Sequence, residues 1–431
     1  MRHPSETVRV PLAFAIQVLM ALVLPTACSA PDVPEPEPTD AIAYEGGRII
    51  VGNGDVIENG TLLVEQGRLA AVGEADTVEV PAGAERMDLT GHTLMPAIID
   101  THVHLREARD ELIEDLQRKA YYGVGVVLSL GRGASDTAFA MRDETLPNAA
   151  RYQTVGRGIT GPEPGRTEVP YWVTTEEEAR AAVQELATQN VDLVKIWVDE
   201  RNGQVEKLPS ELYGAVIDEA HQQGLRVTAH VYTLEDAKGL LRAGLDAFAH
   251  GIRDMDIDDE VVELFRERPH VLLAPNLPNP GVATDLSWLS GTIPPAQLEE
   301  MQERSVDRPE AQEAFGIQAR NLARLAAEGV TIAFGTDGSA GWSPHAEMED
   351  MVRAGMSPAD VLVAATGNSA ALVGLDDVGT LEADKSADFI VLEANPIDDI
   401  TNTRQIVDVY LRGEPVDRAG LSAAWLGGAT E

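Results

Sequence analysis

Two histidines one residue apart, His102 and His104, close the apolar stretch at 96–105, Pro-Ala-Ile-Ile-Asp-Thr-His-Val-His-Leu. On a β-strand, side chains two positions apart leave the same face. Two imidazoles from one buried strand are thus placed to share a metal ion. Four more polar residues interrupt or end apolar runs of strand character: Lys195 in Leu193-Val-Lys-Ile-Trp, His230 in Val227-Thr-Ala-His-Val, His250 in Ala247-Phe-Ala-His-Gly, and Asp337 in Ile332-Ala-Phe-Gly-Thr-Asp-Gly. A lysine in such a run is costly unless it is paired or used. Any one of these fits an ordinary core position. Six of them at strand ends make the pattern of titratable groups gathered for function. The chemistry open to that set begins with binding a metal ion.

Gathering these residues requires a fold that brings strand ends together. Between 96 and 377 the chain alternates strand and helix signals, the mark of a parallel α/β architecture. Strand candidates lie at 97–105, 123–130, 151–156, 192–198, 226–231, 247–250, 271–275 and 331–335, with helical patterns at 175–189, 209–223 and 234–243 among others. Eight βα units of this length predict a (β/α)8 TIM barrel, whose active site lies at the C-terminal ends of the strands. The six residues then fall at the ends of the first, fourth, fifth, sixth and eighth strands. The irregular segments 161–173 and 276–309 read either as functional lids or as surface decoration.

Outside the barrel, apolar runs at 43–79 alternate with turn signals such as Asn53-Gly54 and Asn59-Gly60, a β-meander. Strand-like runs return at 388–393 and 406–413. Pairing the two ends predicts a small composite β-sandwich from 43–95 and 378–418 beside the barrel at 96–377, with a tail at 419–431.

The 431 residues include 71 acidic and 33 basic side chains, for a formal net charge of -38. Nucleic acid and anionic membrane surfaces would repel such a chain, which argues against either as partner. The lysine-poor, acidic composition suits a salty habitat and equally a GC-rich genome. The single cysteine is Cys28, so the folded body is expected to lack disulfides. Arg2 and Arg9 precede an apolar stretch at 10–24, which is short for a membrane span, and small residues then lead to Cys28. Residues 1–28 thus read as an export signal. Leu24-Pro-Thr-Ala-Cys28 resembles a bacterial lipobox, although Leu24 stands one place early. A Pro-rich acidic tether at 29–42 follows. The expectation is an exported protein, periplasmic or at the cell surface, whose membrane contact is one lipid anchor on Cys28.

His102-Val-His104, Lys195, His230, His250 and Asp337, with Gly156-Arg-Gly-Ile-Thr, Ala249-His-Gly and Ala387-Asp-Phe-Ile-Val-Leu, resemble the amidohydrolase superfamily over about residues 43–418. The resemblance is to its branch of imidazolonepropionase-like proteins and metal-dependent, prolidase-like dipeptidases. It implies a barrel with a composite β-sandwich and two divalent metal ions. It assigns His102, His104 and Asp337 to one metal and His230 and His250 to the other, with Lys195 carboxylated by CO2 as the bridging carbamate. Zinc suits these ligands, and manganese, cobalt or iron would fit too. Deaminase-type members carry a Glu three residues after the fifth-strand histidine, and Thr233 stands there instead. The resemblance therefore implies a binuclear hydrolase with Asp337 as proton shuttle.

The expected reaction is hydrolysis of a C–N bond in a dipeptide or N-acyl amino acid. A cyclic amide, lactone or ester on the same site is the alternative, and a metal-binding lipoprotein without catalysis is the alternative of another class. For substrate contacts, Arg106 in His-Val-His-Leu-Arg resembles the carboxylate-holding Arg of dihydroorotases; it is equally placed to pair with Glu107, Asp110 or Glu111. Arg157, Tyr232 and His345 stand beside or beyond strand ends and complete the candidates.

Overall fold

Strands from both ends of the chain pair in one sheet. The computed structural model describes residues 39–165, 168–191, 193–277 and 280–427. The strand Phe389–Leu392 runs antiparallel to Thr93–Pro96, which in turn lies parallel to Ile42–Ile50. Val56–Glu65 and Arg68–Glu74 extend the sheet on one side, and Ile406–Leu411 with Glu414–Pro415 extend it on the other. The period of two divides its side chains between two cores. Phe389 and Val391 join Tyr44, Leu62 and Tyr410 in a core of the sheet's own, while Ile390 and Leu392 face the main core with Ile98, Val124 and Leu116. The rings of Tyr44, Phe389 and Tyr410 lie 4.7–5.1 Å apart by centroid.

The strands expected for the barrel form at Ile98–Val103, Val124–Ser129, Arg151–Thr154, Leu193–Val198, Arg226–Val231, Ala247–Phe248, Leu272–Leu273 and Thr331–Ile332. Neighbours pair in parallel, and a bridge between Val103 and Gly338 brings the first strand to the chain beyond the eighth. The third strand is broken. Arg151–Thr154 pairs with the second strand, whereas Ile159–Thr160 pairs with the fourth. The break follows from packing: Gly156 has φ +67°, and a Cβ on Gly158 would run into the Trp197 ring.

The helices at Glu176–Thr188, Ser210–Gln222 and Leu234–Ala243 match the periodic stretches read from sequence. Thr175 and Glu178 form a capping box on the first, and Thr233 caps the third by accepting from the Asp236 amide at 3.1 Å. Thr233 is therefore committed to starting a helix. The expected tail is helical over Arg418–Gly427, because Trp425 packs edge-on against Tyr121 and under Arg118. Among the described residues no helix is long and apolar enough to cross a membrane. The signal-like stretch, Cys28 and the tether up to residue 38 lie outside the described residues.

Candidate metal centre

The first and eighth barrel units meet through a buried charge. Asp100, in the strand Ile98–Val103, takes Lys119 Nζ at 2.8 Å, and neither side chain is exposed. The same carboxylate accepts from the Thr336 amide at 3.0 Å and from Thr336 Oγ1 at 2.8 Å. One residue on, the Asp337 amide donates to the His102 carbonyl at 2.8 Å. The close approach needs Gly335, where a Cβ would lie 2.8 Å from Asn276 Oδ1 and 3.0 Å from His102 Cβ. Asp337 takes φ +52°, a left-handed conformation that Asp tolerates better than most residues.

That frame sets the donors. Asp337 Oδ1 is 3.0 Å from His104 Nε2 and 3.3 Å from His102 Nε2, and Asp337 Oδ2 is 3.8 Å from His250 Nε2. Donor atoms of His102, His250 and Asp337 all lie within 4.8 Å of one another. The ring of His230 stacks edge-on to His250 at 4.4 Å between centroids, with its Nε2 turned to Asp199 Oδ2 at 2.9 Å and to Arg201 Nη1 at 3.1 Å. Lys195 is fully buried among them, and its Nζ has no hydrogen-bond partner.

The electrostatics suit cation binding. Burial, aided by the charges of Lys195 or Arg253, pushes the His102 and His250 rings well below the usual imidazole range, so both stay neutral, the state in which an imidazole ligates metal. Burial likewise pushes His230 down to about 4. Burial alone would raise the Asp337 carboxyl, but the rings of His102 and His104 and the charge of Lys195 outweigh it and hold the group ionised. Burial pulls the Lys195 ammonium down to about 7, against the attraction of Asp337. Neutral imidazoles at His102, His230 and His250, an ionised carboxylate and a buried, readily neutralised amine without a hydrogen-bond partner fit divalent metal.

Beside the donors lies a pocket of about 200 Å³ bounded by His104, Asp337, Arg132, Thr160, Glu163, Pro170 and Trp197. The structure thus brings together His102, His104, Lys195, His230, His250 and Asp337. It places the substrate-contact candidates differently. Arg106 is spent on Asp115, Glu114 and the Glu111 carbonyl, with Nε 3.1 Å from Asp115. That pairing arises because the helix Arg109–Tyr121 docks its second turn back against the strand end. His345 is wholly buried, with its nitrogens 3.0 Å from Thr403 Oγ1 and from the Tyr122 carbonyl. It braces the helix Ser343–Arg353 instead of lining the pocket. Arg157 donates to the carbonyls of Val169 and Pro170 and stacks on Tyr171 at 3.9 Å. Tyr232 is partly exposed, and its carbonyl accepts from the Arg253 amide at 2.9 Å.

Residues that were not singled out in the sequence complete the site. Asn276, directly after the seventh strand, holds its amide 2.6 Å from His102 Nδ1, and Arg253 donates to His250 Nδ1. Asp199 follows Lys195 by four positions and anchors His230. Their positions one to three residues past a strand end or a ligand are the only signal the sequence carries.

Comparison with known proteins agrees with this geometry. The profile described as "Amidohydrolase family" matches residues 93–416. An uncharacterized protein of Mycobacterium bovis is 33% identical over 48% of this chain, and the match spans only 57% of that protein's length. An imidazolonepropionase of a Geobacillus species is 24% identical over 82% of this chain and 87% of its own. Among solved structures, a putative prolidase from Bifidobacterium longum superposes with a TM-score of 0.73 and 28% identity, covering 91% of this chain and all of that one.

Proposed function

Because this chain belongs to the amidohydrolase family, we propose that it hydrolyses a carbon–nitrogen bond in a small substrate, a dipeptide or N-acyl amino acid, with the aid of two divalent metal ions. The observation that carries this reading is the fully buried Lys195 amine, without a hydrogen-bond partner and within electrostatic reach of His102, His230, His250 and Asp337. In the reading, His102, His104 and Asp337 hold one ion and His230 and His250 the other, zinc being the ion these ligands suit. Lys195 adds to CO2 as a neutral amine, forming an N–C bond and releasing one proton. The product would be a carbamate, which would turn Lys195 into an anionic ligand for the ions. When bound, the ions supply Lewis acidity and the activation of water at neutral pH.

The protein's own groups do the rest. Asp337 is ionised and reaches the pocket, so it takes up a proton from the attacking water and delivers it to the leaving nitrogen. Trp197 and Pro170 wall one side and shield the reacting bond from bulk water. The likeness to an imidazolonepropionase supports a second reading, in which the bond lies in a ring, a cyclic amide or lactone. We also place the enzyme outside the cytoplasm on a lipid anchor at Cys28, a reading supported by the signal-like 1–28 segment alone.

The test is turnover by protein purified with Zn2+ and bicarbonate, on a panel of dipeptides, N-acyl amino acids, cyclic amides and lactones. Hydrolysis of the first two classes above the others is expected. No hydrolysis of any amide by protein holding two metals per chain would overturn the reading.

A further inference from the structure

Among the described residues, Arg132 and Arg308 are the arginines whose side chains make no hydrogen bond or ion pair. Arg308 lies by Trp288 and Trp342. Arg132 lies in the metal pocket, beside His104, Asp337 and Trp197. In a chain with 71 acidic residues against 33 basic ones, an exposed guanidinium without a carboxylate is out of the ordinary.

Its backbone is held tightly. Arg132 stands between Gly131 and Gly133, directly after the second strand. Gly131 has φ +96°, and a Cβ there would lie 2.6 Å from the Trp197 ring and 2.9 Å from Lys195 Cγ. A Cβ on Gly133 would lie 2.5 Å from Ser129 Oγ. The loop therefore packs against the fourth strand and its own, with no slack, and presents Arg132 at the pocket.

We propose that Arg132 anchors a carboxylate of the substrate, so that the preferred amides carry a free carboxylate on an apolar residue packed against Trp197. The inference rests on the amide-hydrolase reading above and names the substrate class within it. A guanidinium offers paired N–H donors that match a planar carboxylate. The other charged side chains of the pocket are the carboxylates of Asp337 and Glu163, which would repel an anionic substrate unless a cation met it. Arg201 cannot serve, since it is shared between Asp199 and Glu163, and Arg106 is bound to Asp115.

The experiment uses the metal-loaded full chain with N-acetyl-leucine and N-acetyl-leucinamide, measuring both turnover and binding by calorimetry. Wild type should favour the carboxylate. Arg132→Gln should lower kcat/KM and affinity for N-acetyl-leucine about ten- to hundredfold, the range of a hydrogen bond to a charged partner. Its effect on the amide should be at least tenfold smaller, and most of the change should fall in KM. Arg132→Lys should restore part of the loss, whereas Arg308→Gln should match wild type. An equal effect of Arg132→Gln on both compounds, with turnover intact, would overturn the anchor and leave the hydrolase reading standing. Arg132-dependent binding without hydrolysis would support the anchor and count against the hydrolase reading. No binding of the carboxylate by wild type would overturn the anchor.

Discussion

Asp337 holds His102 twice: its backbone amide donates to the His102 carbonyl at 2.8 Å, and its carboxylate lies 3.3 Å from the same residue's Nε2. The backbone bond fixes where the side chains meet, so the chemistry at the end of the eighth strand is registered to the first strand directly. Asp100 repeats the link one layer below through Thr336. A site supported in this way keeps its donor geometry before any ion arrives, which lowers the cost of binding one.

Lys195 tests the bridging role. Lys195→Ala should lose most bound metal and turnover, because two dications would face each other without an anion between them. Formate or acetate should restore part of both by entering the vacated space. Lys195→Arg should resist rescue, since its charge is permanent. Elemental analysis and rates, with and without added carboxylate, decide it. Two metals and near-normal turnover in Lys195→Ala would make the lysine structural.

Asp199 tests the support of His230. With Nε2 bound to Asp199 at 2.9 Å, the lone pair left for an ion is on Nδ1. Asp199→Asn should keep the fold and weaken binding of one of the two proposed ions by about 10- to 100-fold. Competition with a chelator reads this directly. Unchanged affinity for both ions would place Asp199 with the Arg201 and Glu163 ion pairs alone.

What the sequence made legible follows one physical rule. A polar residue in an apolar strand is visible without neighbours, and His102, His104, Lys195, His230, His250 and Asp337 all stand out that way. Partners are not visible. Whether Arg106 is free depends on Asp115, nine residues on, and so on how a helix docks. His345 read as a substrate contact by its place beyond a strand end, but its surroundings come from Tyr122 and Thr403, 223 and 58 residues away. Asp199 and Arg132 lie just past strand ends, where charged residues usually face water. The barrel strands were readable in order; the break in the third was not, because it arises from Trp197 pressing on Gly158.

The Asp100–Lys119 pair should matter strongly to stability. Both groups are fully buried, and removing one strands the other's charge. Asp100→Ala should cost about 3–5 kcal/mol, and should also free the Thr336 donors. Lys119→Met combined with Asp100→Ala should cost less than the two single changes summed. Urea melts of the four proteins give the cycle; additive losses would mean the pair does not couple.

His345 offers a pH test. Burial holds its ring down to about 3 in the folded protein, against about 6.5 in an unfolded chain. The folded pKa is depressed, so below pH 6.5 the unfolded chain binds a proton that the native state refuses. Stability is therefore lost as pH falls from 6.5 toward 3, and this group contributes no slope above that window. At pH 5.5 the loss should reach about 1.4 kcal/mol relative to pH 7.5. His345→Gln removes that titration while leaving an amide to meet Thr403 and the Tyr122 carbonyl. Wild type minus variant, from urea melts at the two pH values, cancels the other titrating groups. The stability advantage of wild type should shrink by about that amount at pH 5.5. An advantage that stays constant would mean the ring is protonated in both states or shielded in neither.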